Sequence, residues 1–310
     1  MPKCLIIDSI HESIFEILKQ SNIEIDYKPN ITRSEIIDRI EQYQILIVRS
    51  KTIIDQEIID KGRNLKIIAR AGSGLDILDT ERIRSKGIAI INSPEANRDA
   101  VGDHTVGMLL SMLKKIHTAD FEVRRGKWDR EKNRGYELGS KIIAIIGYGN
   151  IGKAFATRLT GFGCEVIAYD KYNRDFGNKN CREVTMDEVF KNADVVSLHI
   201  PLTDETRGLV DEHYIDCFKK NFYLINTSRG EIVPMKSAVY GLKSGKLLGV
   251  GLDVLECEKL TELNKEQRRF FTYLADSRKT LLTPHVGGWS YESYEKISKV
   301  LGEKIVMNFD

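Results

Sequence analysis

The chain is poor in cysteine, has no long apolar run and carries almost no net charge. Its five cysteines are scattered over 310 residues without a Cys-x-x-Cys pair, which argues against a disulfide framework and a zinc site. The longest apolar runs, such as residues 142–146, are too short to span a bilayer. A formal net charge of +2 gives no bulk attraction to nucleic acid or an anionic membrane. We therefore expect a cytoplasmic protein without metal, nucleic-acid or membrane partners.

Two series of short β-branched segments alternate with patterns typical of amphipathic helices. At about 150 residues per domain, the length also predicts two domains. The alternation predicts an α/β fold with two doubly wound parallel sheets. The predicted strands of the first series are residues 4–8, 23–27, 45–50, 65–70 and 88–92, and those of the second are 141–147, 165–170, 194–200, 222–228, 247–254 and 281–285.

The segment between the two series lacks strand patterns. Apolar residues at helical spacing predict one long helix over residues 98–117. Residues 121–139 are charged and irregular, which predicts an extended arm. A last helical pattern covers residues 291–309, and we expect it to pack on the first domain.

Three glycines of the segment GYGNIG, residues 147–152, lie between a predicted strand and a predicted helix. An ordinary tight turn can also match G-x-G-x-x-G, but here a second strand follows and ends in Asp170. Gly147 would allow the turn, Gly149 would let the backbone approach a pyrophosphate, and Gly152 would let helix and strand pack closely. The pattern therefore predicts a dinucleotide site at the start of a helix, whose free N–H groups attract phosphate.

Asp170 indicates which dinucleotide is bound. Its carboxylate can accept hydrogen bonds from the ribose hydroxyls and would repel a 2′-phosphate, which favours NAD over NADP. Lys171, the next residue, leaves some tolerance of NADP open.

Seven sequence blocks follow one another along nearly the whole chain: VRSKT (48–52), ARAGSGLDILD (69–79), GYGNIG (147–152), LHIPLTDETRGLV (198–210), LINTSRGEIV (224–233), GVGLDVLECE (249–258) and TPHVGGWS (283–290). Together these blocks resemble those of the D-isomer-specific 2-hydroxyacid dehydrogenases. The resemblance implies a flavodoxin-like substrate-binding domain from residues 1–94 and 286–310, and a Rossmann NAD-binding domain from residues 95–285. It also implies a homodimer formed through the NAD domain and, at this length, no C-terminal regulatory domain.

The resemblance implies three catalytic residues. Arg229 would hold the substrate carboxylate, for which a planar guanidinium is suited. His285 would exchange a proton with the substrate oxygen, because imidazole titrates near neutral pH. Glu258 would hydrogen-bond His285, although the proline that usually follows this glutamate is missing here and Glu256 is a competitor.

Further contacts follow by position in the matching blocks. Asp253 has an alternative interpretation as a strand-end cap, Arg70 as a surface arginine, and His104 is expected to be a packing residue. The implied cofactor contacts are Ser73, Gly147, Gly149, Asn150, Ile151, Gly152, Asp170, Ile200, Pro201, Thr227, Ser228, Asp253, Gly287 and Gly288. The implied substrate contacts are Arg49, Ser50, Arg70, Gly72 and Asn97.

The reaction implied is reversible oxidation of a D-2-hydroxy acid by NAD, so the expected partner is a small 2-hydroxy or 2-oxo acid. Within the family we favour 3-phosphoglycerate, whose oxidation to 3-phosphohydroxypyruvate begins serine biosynthesis. One alternative is a glyoxylate or hydroxypyruvate reductase. Another is an NAD-sensing binding protein resembling the corepressors of this family.

Overall fold

The computed structural model describes residues 1–309, and the chain divides into two compact units. Unit 1 contains Met1–Arg98 and the segment that begins at Trp289, and unit 2 contains Asp99–Gly288. Across the described residues, every helix is too short or too polar to cross a bilayer.

Both units are built from strands and helices that alternate along the chain. The strands are β1 (Lys3–Ile6), β2 (Glu24–Tyr27), β3 (Ile45–Val48), β4 (Ile67–Arg70), β5 (Ala89–Asn92), β6 (Ile142–Ile146), β7 (Glu165–Tyr169), β8 (Arg182–Glu183), β9 (Val195–Leu198), β10 (Phe222–Asn226), β11 (Leu247–Leu252) and β12 (Thr280–Leu282). The helices are α1 (Ser13–Gln20), α2 (Arg33–Arg39), α3 (Gln56–Lys61), α4 (Thr80–Ser85), α5 (Arg98–Leu113), α6 (Ile116–Val123), α7 (Asn150–Leu159), α8 (Met186–Asn192), α9 (Glu212–Cys217), α10 (Met235–Ser244), α11 (Lys265–Asp276) and α12 (Tyr291–Phe309).

Unit 1 contains a parallel five-stranded sheet in the order β2-β1-β3-β4-β5. This is the strand order of flavodoxin-like folds. Every residue of β3 is buried, because apolar clusters cover both faces of the sheet. The last helix, α12, packs on α1, where a Cβ on Gly302 would lie 3.1 Å from Ile14 Cγ1.

Unit 2 contains a parallel seven-stranded sheet in the order β12-β11-β10-β9-β6-β7-β8. The order reverses between β6 and β9, as in the Rossmann fold, and β12 extends one edge. The predicted fold class, two doubly wound parallel sheets, is confirmed. Because the strands are parallel, the loops that follow them gather at one edge of the sheet.

The single helix predicted over residues 98–117 is wrong, because α5 ends at Leu113 and α6 begins at Ile116. Lys115, between them, has a left-handed backbone with φ of 55°. The carbonyl of Leu113 accepts a hydrogen bond from the Tyr136 N–H at 2.9 Å, so a distant segment satisfies the end of α5.

The predicted extended arm, residues 121–139, begins instead as the last turn of α6. Glu122, only 3% exposed, accepts a hydrogen bond from Asn133 Nδ2 at 2.7 Å and forms ion pairs with Lys132 and Arg278. The hydrogen bond from Asn133, which has the largest effect, and the two cations hold the pKa of Glu122 below its usual range, although burial raises it. These contacts hold the charged segment after α6 against the rest of unit 2.

Candidate active site

The predicted catalytic residues, and all the predicted cofactor contacts except Ser73, lie in loops that follow strands of unit 2 or in the first turn of α7. Since those strands are parallel, the loops share the carboxyl edge of the sheet, where doubly wound folds bind ligands. The glycine loop follows β6, Asp170 follows β7, Ile200 and Pro201 follow β9, Thr227, Ser228 and Arg229 follow β10, Asp253 and Glu258 follow β11, and His285, Gly287 and Gly288 follow β12.

The three glycines of the loop after β6 have different surroundings. Gly147 has φ of +93°, and a Cβ there would lie 2.4 Å from the carbonyl oxygen of His199. A Cβ on Gly152 would lie 2.2 Å from the carbonyl oxygen of Gly147. A Cβ on Gly149 would meet no atom within 4 Å. The first and third glycines are therefore required for packing, whereas the second leaves open space beside the backbone.

The start of α7 fits a dinucleotide phosphate. Gly149 is the N-cap residue and supplies no side chain for the N–H groups of the first turn, which begins with Asn150 and Ile151. These N–H donors and the partial positive charge at the start of the helix lie beside the open space at Gly149. A phosphate in that space would be stabilised by both. The Ile200 side chain lies against Gly147, 2.8 Å from where a Cβ would be, so the segment after β9 adjoins the loop.

Asp170 is joined to the glycine loop rather than solvated. Its Oδ2 accepts a hydrogen bond from the Tyr148 N–H at 2.8 Å, and its Oδ1 accepts from the N–H groups of Tyr172 at 3.0 Å and Asn173 at 2.9 Å. Burial alone raises the pKa of this carboxyl, but the three N–H groups hold it below its usual range. Asp170 therefore carries a negative charge beside the loop, as recognition of ribose hydroxyls requires.

A second buried carboxylate, Asp253, fixes the loop that carries His285. Its Oδ1 accepts hydrogen bonds from Thr283 Oγ1 at 2.6 Å and from the Val286 N–H at 2.9 Å, and its Oδ2 accepts from the Gly287 N–H at 2.8 Å. Asp253 is 2% exposed, and burial raises its pKa, but these donors and the neighbouring His104 keep the pKa below its usual range. These hydrogen bonds support the alternative interpretation of Asp253 as a strand-end cap. A contact between Asp253 and nicotinamide stays a prediction.

Two further members of this cluster, Thr283 and His104, were not predicted as site residues from the sequence. The Nε2 atom of His104 lies 3.1 Å from Thr283 Oγ1 and 3.4 Å from Asp253 Oδ1, so His104 has polar partners rather than a packing role alone. Thr283 precedes the Pro-His pair and could have been found from that motif. His104 is distant in sequence, and no local pattern indicates its partner.

Glu258, and not Glu256, contacts His285. The Oε1 atom of Glu258 lies 2.8 Å from Nδ1 of His285. Glu256 instead accepts a hydrogen bond from the Met235 N–H at 3.4 Å, at the start of α10, and burial raises its pKa. Counting from Asp253 therefore selects the glutamate that reaches the histidine, even without the following proline.

The backbone of His285 is in the left-handed region, with φ of 54°. Residues other than glycine seldom adopt this conformation, although asparagine, aspartate and histidine do so more often than most, and such residues cluster at functional sites. The His285 N–H donates to the Asp253 carbonyl at 2.7 Å, which helps to hold the strained residue. The imidazole itself is 44% exposed and so is accessible to a ligand.

Arg229 begins a turn that packs closely on the segment leading to Glu258. Its carbonyl accepts a hydrogen bond from Asn226 Nδ2 at 2.8 Å, and its Nη1 donates to the Ser228 carbonyl at 2.6 Å. A Cβ on the next residue, Gly230, would lie 1.9 Å from the carbonyl carbon of Leu255. The loops after β10 and β11 are therefore in direct backbone contact.

Another histidine of unit 2, His199, is a poor acid–base candidate. Burial lowers its pKa to about 3, so the ring stays neutral near pH 7. Its Nε2 lies 2.9 Å from Ser197 Oγ, and its ring packs on Phe155 of α7.

Residues of unit 1 carry the predicted substrate contacts. Arg49 follows β3, and its guanidinium carbon lies 3.9 Å from the centre of the Trp289 ring, a cation–π contact. The backbone N–H of Arg49 donates to Asp8 Oδ2 at 2.6 Å. Burial lowers the pKa of Arg49, although the nearby Tyr294 and Asp8 oppose this effect. Ser50 is the next residue of the same loop.

Of the other predicted residues of unit 1, Arg70 is the last residue of β4, and the rest follow β4 or β5. Gly72 has φ of 138°, and the Arg70 side chain crosses directly over it. The Ser73 carbonyl accepts a hydrogen bond from Asn92 Nδ2 at 2.7 Å. Asn97 Oδ1 is buried and has no hydrogen-bond partner among residues 1–309. Over that same range, no group of three His, Cys, Asp or Glu side chains could hold a metal ion.

Comparisons with known proteins agree with the geometry of unit 2. Residues 106–287 match the model of the family described as "D-isomer specific 2-hydroxyacid dehydrogenase, NAD binding domain". The chain is 35% identical over 276 residues to a hydroxypyruvate reductase of Thermotoga maritima, covering 89% of this chain and 88% of that protein. It is 32% identical over 308 residues to a D-3-phosphoglycerate dehydrogenase of Methanocaldococcus jannaschii, covering 98% of this chain.

The chain spans only 57% of the length of that D-3-phosphoglycerate dehydrogenase. Among solved structures, an acyclic imino acid reductase in complex with NADPH and D-Arg superposes with a TM-score of 0.84 at 28% identity, covering 98% of this chain and 95% of that one. Proteins with different substrates thus share this architecture.

Proposed function

Because the chain belongs to the D-isomer-specific 2-hydroxyacid dehydrogenase family, we propose that it reversibly oxidises a D-2-hydroxy acid to the 2-oxo acid. Bound NAD would accept the hydride from C2. The observation that carries the proposal is the Glu258–His285 pair. Asp253 fixes the loop of His285 at the same sheet edge as the glycine loop.

His285 is the proton acceptor in this proposal. Its Nδ1 faces Glu258, so Nε2 is the nitrogen available to the substrate hydroxyl. The Glu258 carboxylate fixes the ring orientation and stabilises the positive charge that the imidazole gains when the hydroxyl proton arrives. In the reverse direction the imidazolium returns that proton to the carbonyl oxygen.

Arg229 holds the substrate carboxylate. The guanidinium can donate two parallel hydrogen bonds to a carboxylate, which fixes the position of the adjacent C2. The contact between Gly230 and Leu255 packs the Arg229 loop against the Glu258 segment. The residue that anchors the substrate and the residue that orients His285 are therefore held by adjoining backbone. Thr227 and Ser228 precede the arginine and are proposed cofactor contacts.

A test of the Glu258 role compares Glu258→Gln with Glu256→Gln. We expect Glu258→Gln to lower kcat about tenfold, because the amide cannot stabilise the imidazolium by charge. KM and the Kd for NADH should stay within about twofold, since neither ligand contacts Glu258 in this proposal. Glu256→Gln, which removes the same charge without touching His285, should leave kcat unchanged. Equal effects of the two variants in steady-state assays would contradict the assignment.

For the substrate we propose 3-phosphoglycerate, with hydroxypyruvate as the second candidate. Similarity to D-3-phosphoglycerate dehydrogenases over 98% of the chain supports the first. Similarity to a hydroxypyruvate reductase over 88% of that protein's length supports the second. Comparing kcat/KM for 3-phosphohydroxypyruvate, hydroxypyruvate and glyoxylate decides between them. If 3-phosphoglycerate is the substrate, the reaction would begin serine biosynthesis.

Arg49 provides a second test of the substrate, because a phosphate needs a cation. Arg49→Met should raise KM for 3-phosphohydroxypyruvate about tenfold and KM for hydroxypyruvate less than threefold, since only the first carries a phosphate for the guanidinium. Lys51 is a matched cation, but its Nζ already donates to the carbonyls of Pro29 and Ile31. Lys51→Met should therefore have little effect on either KM. Equal KM increases for both substrates in Arg49→Met would remove the phosphate assignment.

A regulator that only binds NAD is the alternative from another class. It would bind NADH and consume none with any 2-oxo acid. The homodimer through the NAD domain and the cytoplasmic location stay predictions.

A further inference from the structure

An ion pair crosses the carboxyl edge of unit 2 above the strand that leads into the glycine loop. Lys171 Nζ lies 2.5 Å from Glu205 Oε2, and the same oxygen accepts a hydrogen bond from Tyr172 OH at 2.9 Å. Lys171 and Tyr172 follow β7, whereas Glu205 lies in the loop after β9. Because β6 lies between β7 and β9 in the sheet, these contacts join the loops on either side of the glycine loop.

The loop after β9 holds Glu205 in a defined turn. Thr206 Oγ1 donates to the Pro201 carbonyl at 2.7 Å and accepts from the Thr203 N–H at 2.8 Å. On the other side, the Tyr172 N–H donates to Asp170 Oδ1 at 3.0 Å. Glu205 is therefore connected through one residue to the carboxylate that is expected to contact the ribose.

The two cations nearest in sequence to Asp170 are both engaged. Lys171 pairs with Glu205, which raises the pKa of the Lys171 ammonium. Arg174 Nη1 donates to the carbonyls of Asp170 and Asn173. A 2′-phosphate next to Asp170 would thus meet the carboxylates of Asp170 and Glu205, while the neighbouring ammonium is already paired with Glu205.

We propose that Glu205 is a specificity-determining residue that strengthens the preference for NAD over NADP by keeping Lys171 away from a 2′-phosphate. This inference rests on the proposed dinucleotide site and extends the role of Asp170 to a second acidic residue. From the sequence alone, Lys171 leaves some binding of NADP open. In this proposal Lys171 does not favour NADP, since its ammonium is paired with Glu205.

The test measures NADH and NADPH binding separately by fluorescence titration, without substrate. Glu205→Gln keeps the size of the side chain and removes its charge, so Lys171 becomes available to the phosphate. We expect the Kd for NADPH to fall about tenfold relative to that for NADH at low salt, and less at high salt, because exposed charges are screened. Asp204→Asn removes the same charge from the neighbouring residue, and it should leave the ratio within about twofold.

A double variant identifies the cation responsible. In Lys171→Met/Glu205→Gln, the gain in NADPH binding should largely disappear, since the charge that Glu205 restrained is absent. Unchanged thermal stability in all variants confirms that the fold is retained. An unchanged Kd ratio in Glu205→Gln, or an equal gain in Asp204→Asn, would overturn the inference while leaving the dinucleotide site intact. If the wild-type protein binds neither dinucleotide, the inference and the proposed function both fail.

Discussion

His285→Asn is expected to lower kcat by roughly 10²- to 10⁴-fold, the range associated with loss of a general acid–base. Asparagine tolerates the left-handed backbone that His285 adopts at φ of 54°, so the loop should keep its conformation. The imidazole is absent, however, and no group replaces it beside Glu258. The Kd for NADH should change less than about threefold, because the histidine acts on the substrate oxygen.

His285→Ala is the matched comparison, because it removes the imidazole and adds backbone strain. If His285→Ala has a much lower kcat and a lower melting temperature than His285→Asn, the differences measure the contribution of the loop conformation to catalysis and to stability. Steady-state rates of both variants within about threefold of wild type would remove His285 from proton transfer.

The second large effect concerns two glycines of the segment GYGNIG, which follows β6. Gly152→Ala should lower the free energy of unfolding by about 3 kcal/mol, because its Cβ would lie 2.2 Å from a backbone oxygen that cannot move freely. Gly149→Ala should change it by less than about 1 kcal/mol, since the Cβ enters open space and the φ of −82° suits alanine. The Kd of Gly149→Ala for NADH should nevertheless rise about 10- to 100-fold, as a methyl group occupies the space of the pyrophosphate.

Denaturant unfolding and NADH titration separate the two glycines. Stability and binding should fall together in Gly152→Ala, whereas only binding should fall in Gly149→Ala. Normal NADH binding by Gly149→Ala would contradict a phosphate beside that residue.

The parallel sheets and the glycine loop could be predicted because their determinants are local. Buried parallel strands are continuous apolar runs, and the spacing of Gly147, Gly149 and Gly152 is set within one strand–turn–helix unit. Helix α11 was not predicted, although its capping box of Asn264 and Gln267 is a local indication of a helix start. The charged composition of that segment obscured it.

Features set by distant contacts could not be predicted. No residue near Leu113 in the sequence indicates that its carbonyl accepts a hydrogen bond from the Tyr136 N–H at the end of α5. The same holds for Asp253, whose carboxylate bonds the loop around His285 more than 30 residues away along the chain. The pairing of Lys171 with Glu205 depends on two loops that meet only because β7 and β9 flank β6.

The most direct test of the central claim follows NADH and product together. The protein is incubated with NADH and hydroxypyruvate or 3-phosphohydroxypyruvate, and the configuration at C2 of the product is determined by chiral chromatography. We predict that one D-2-hydroxy acid forms for each NADH consumed. Bound NADH that no 2-oxo acid oxidises, or a product of L configuration, would contradict the proposed activity.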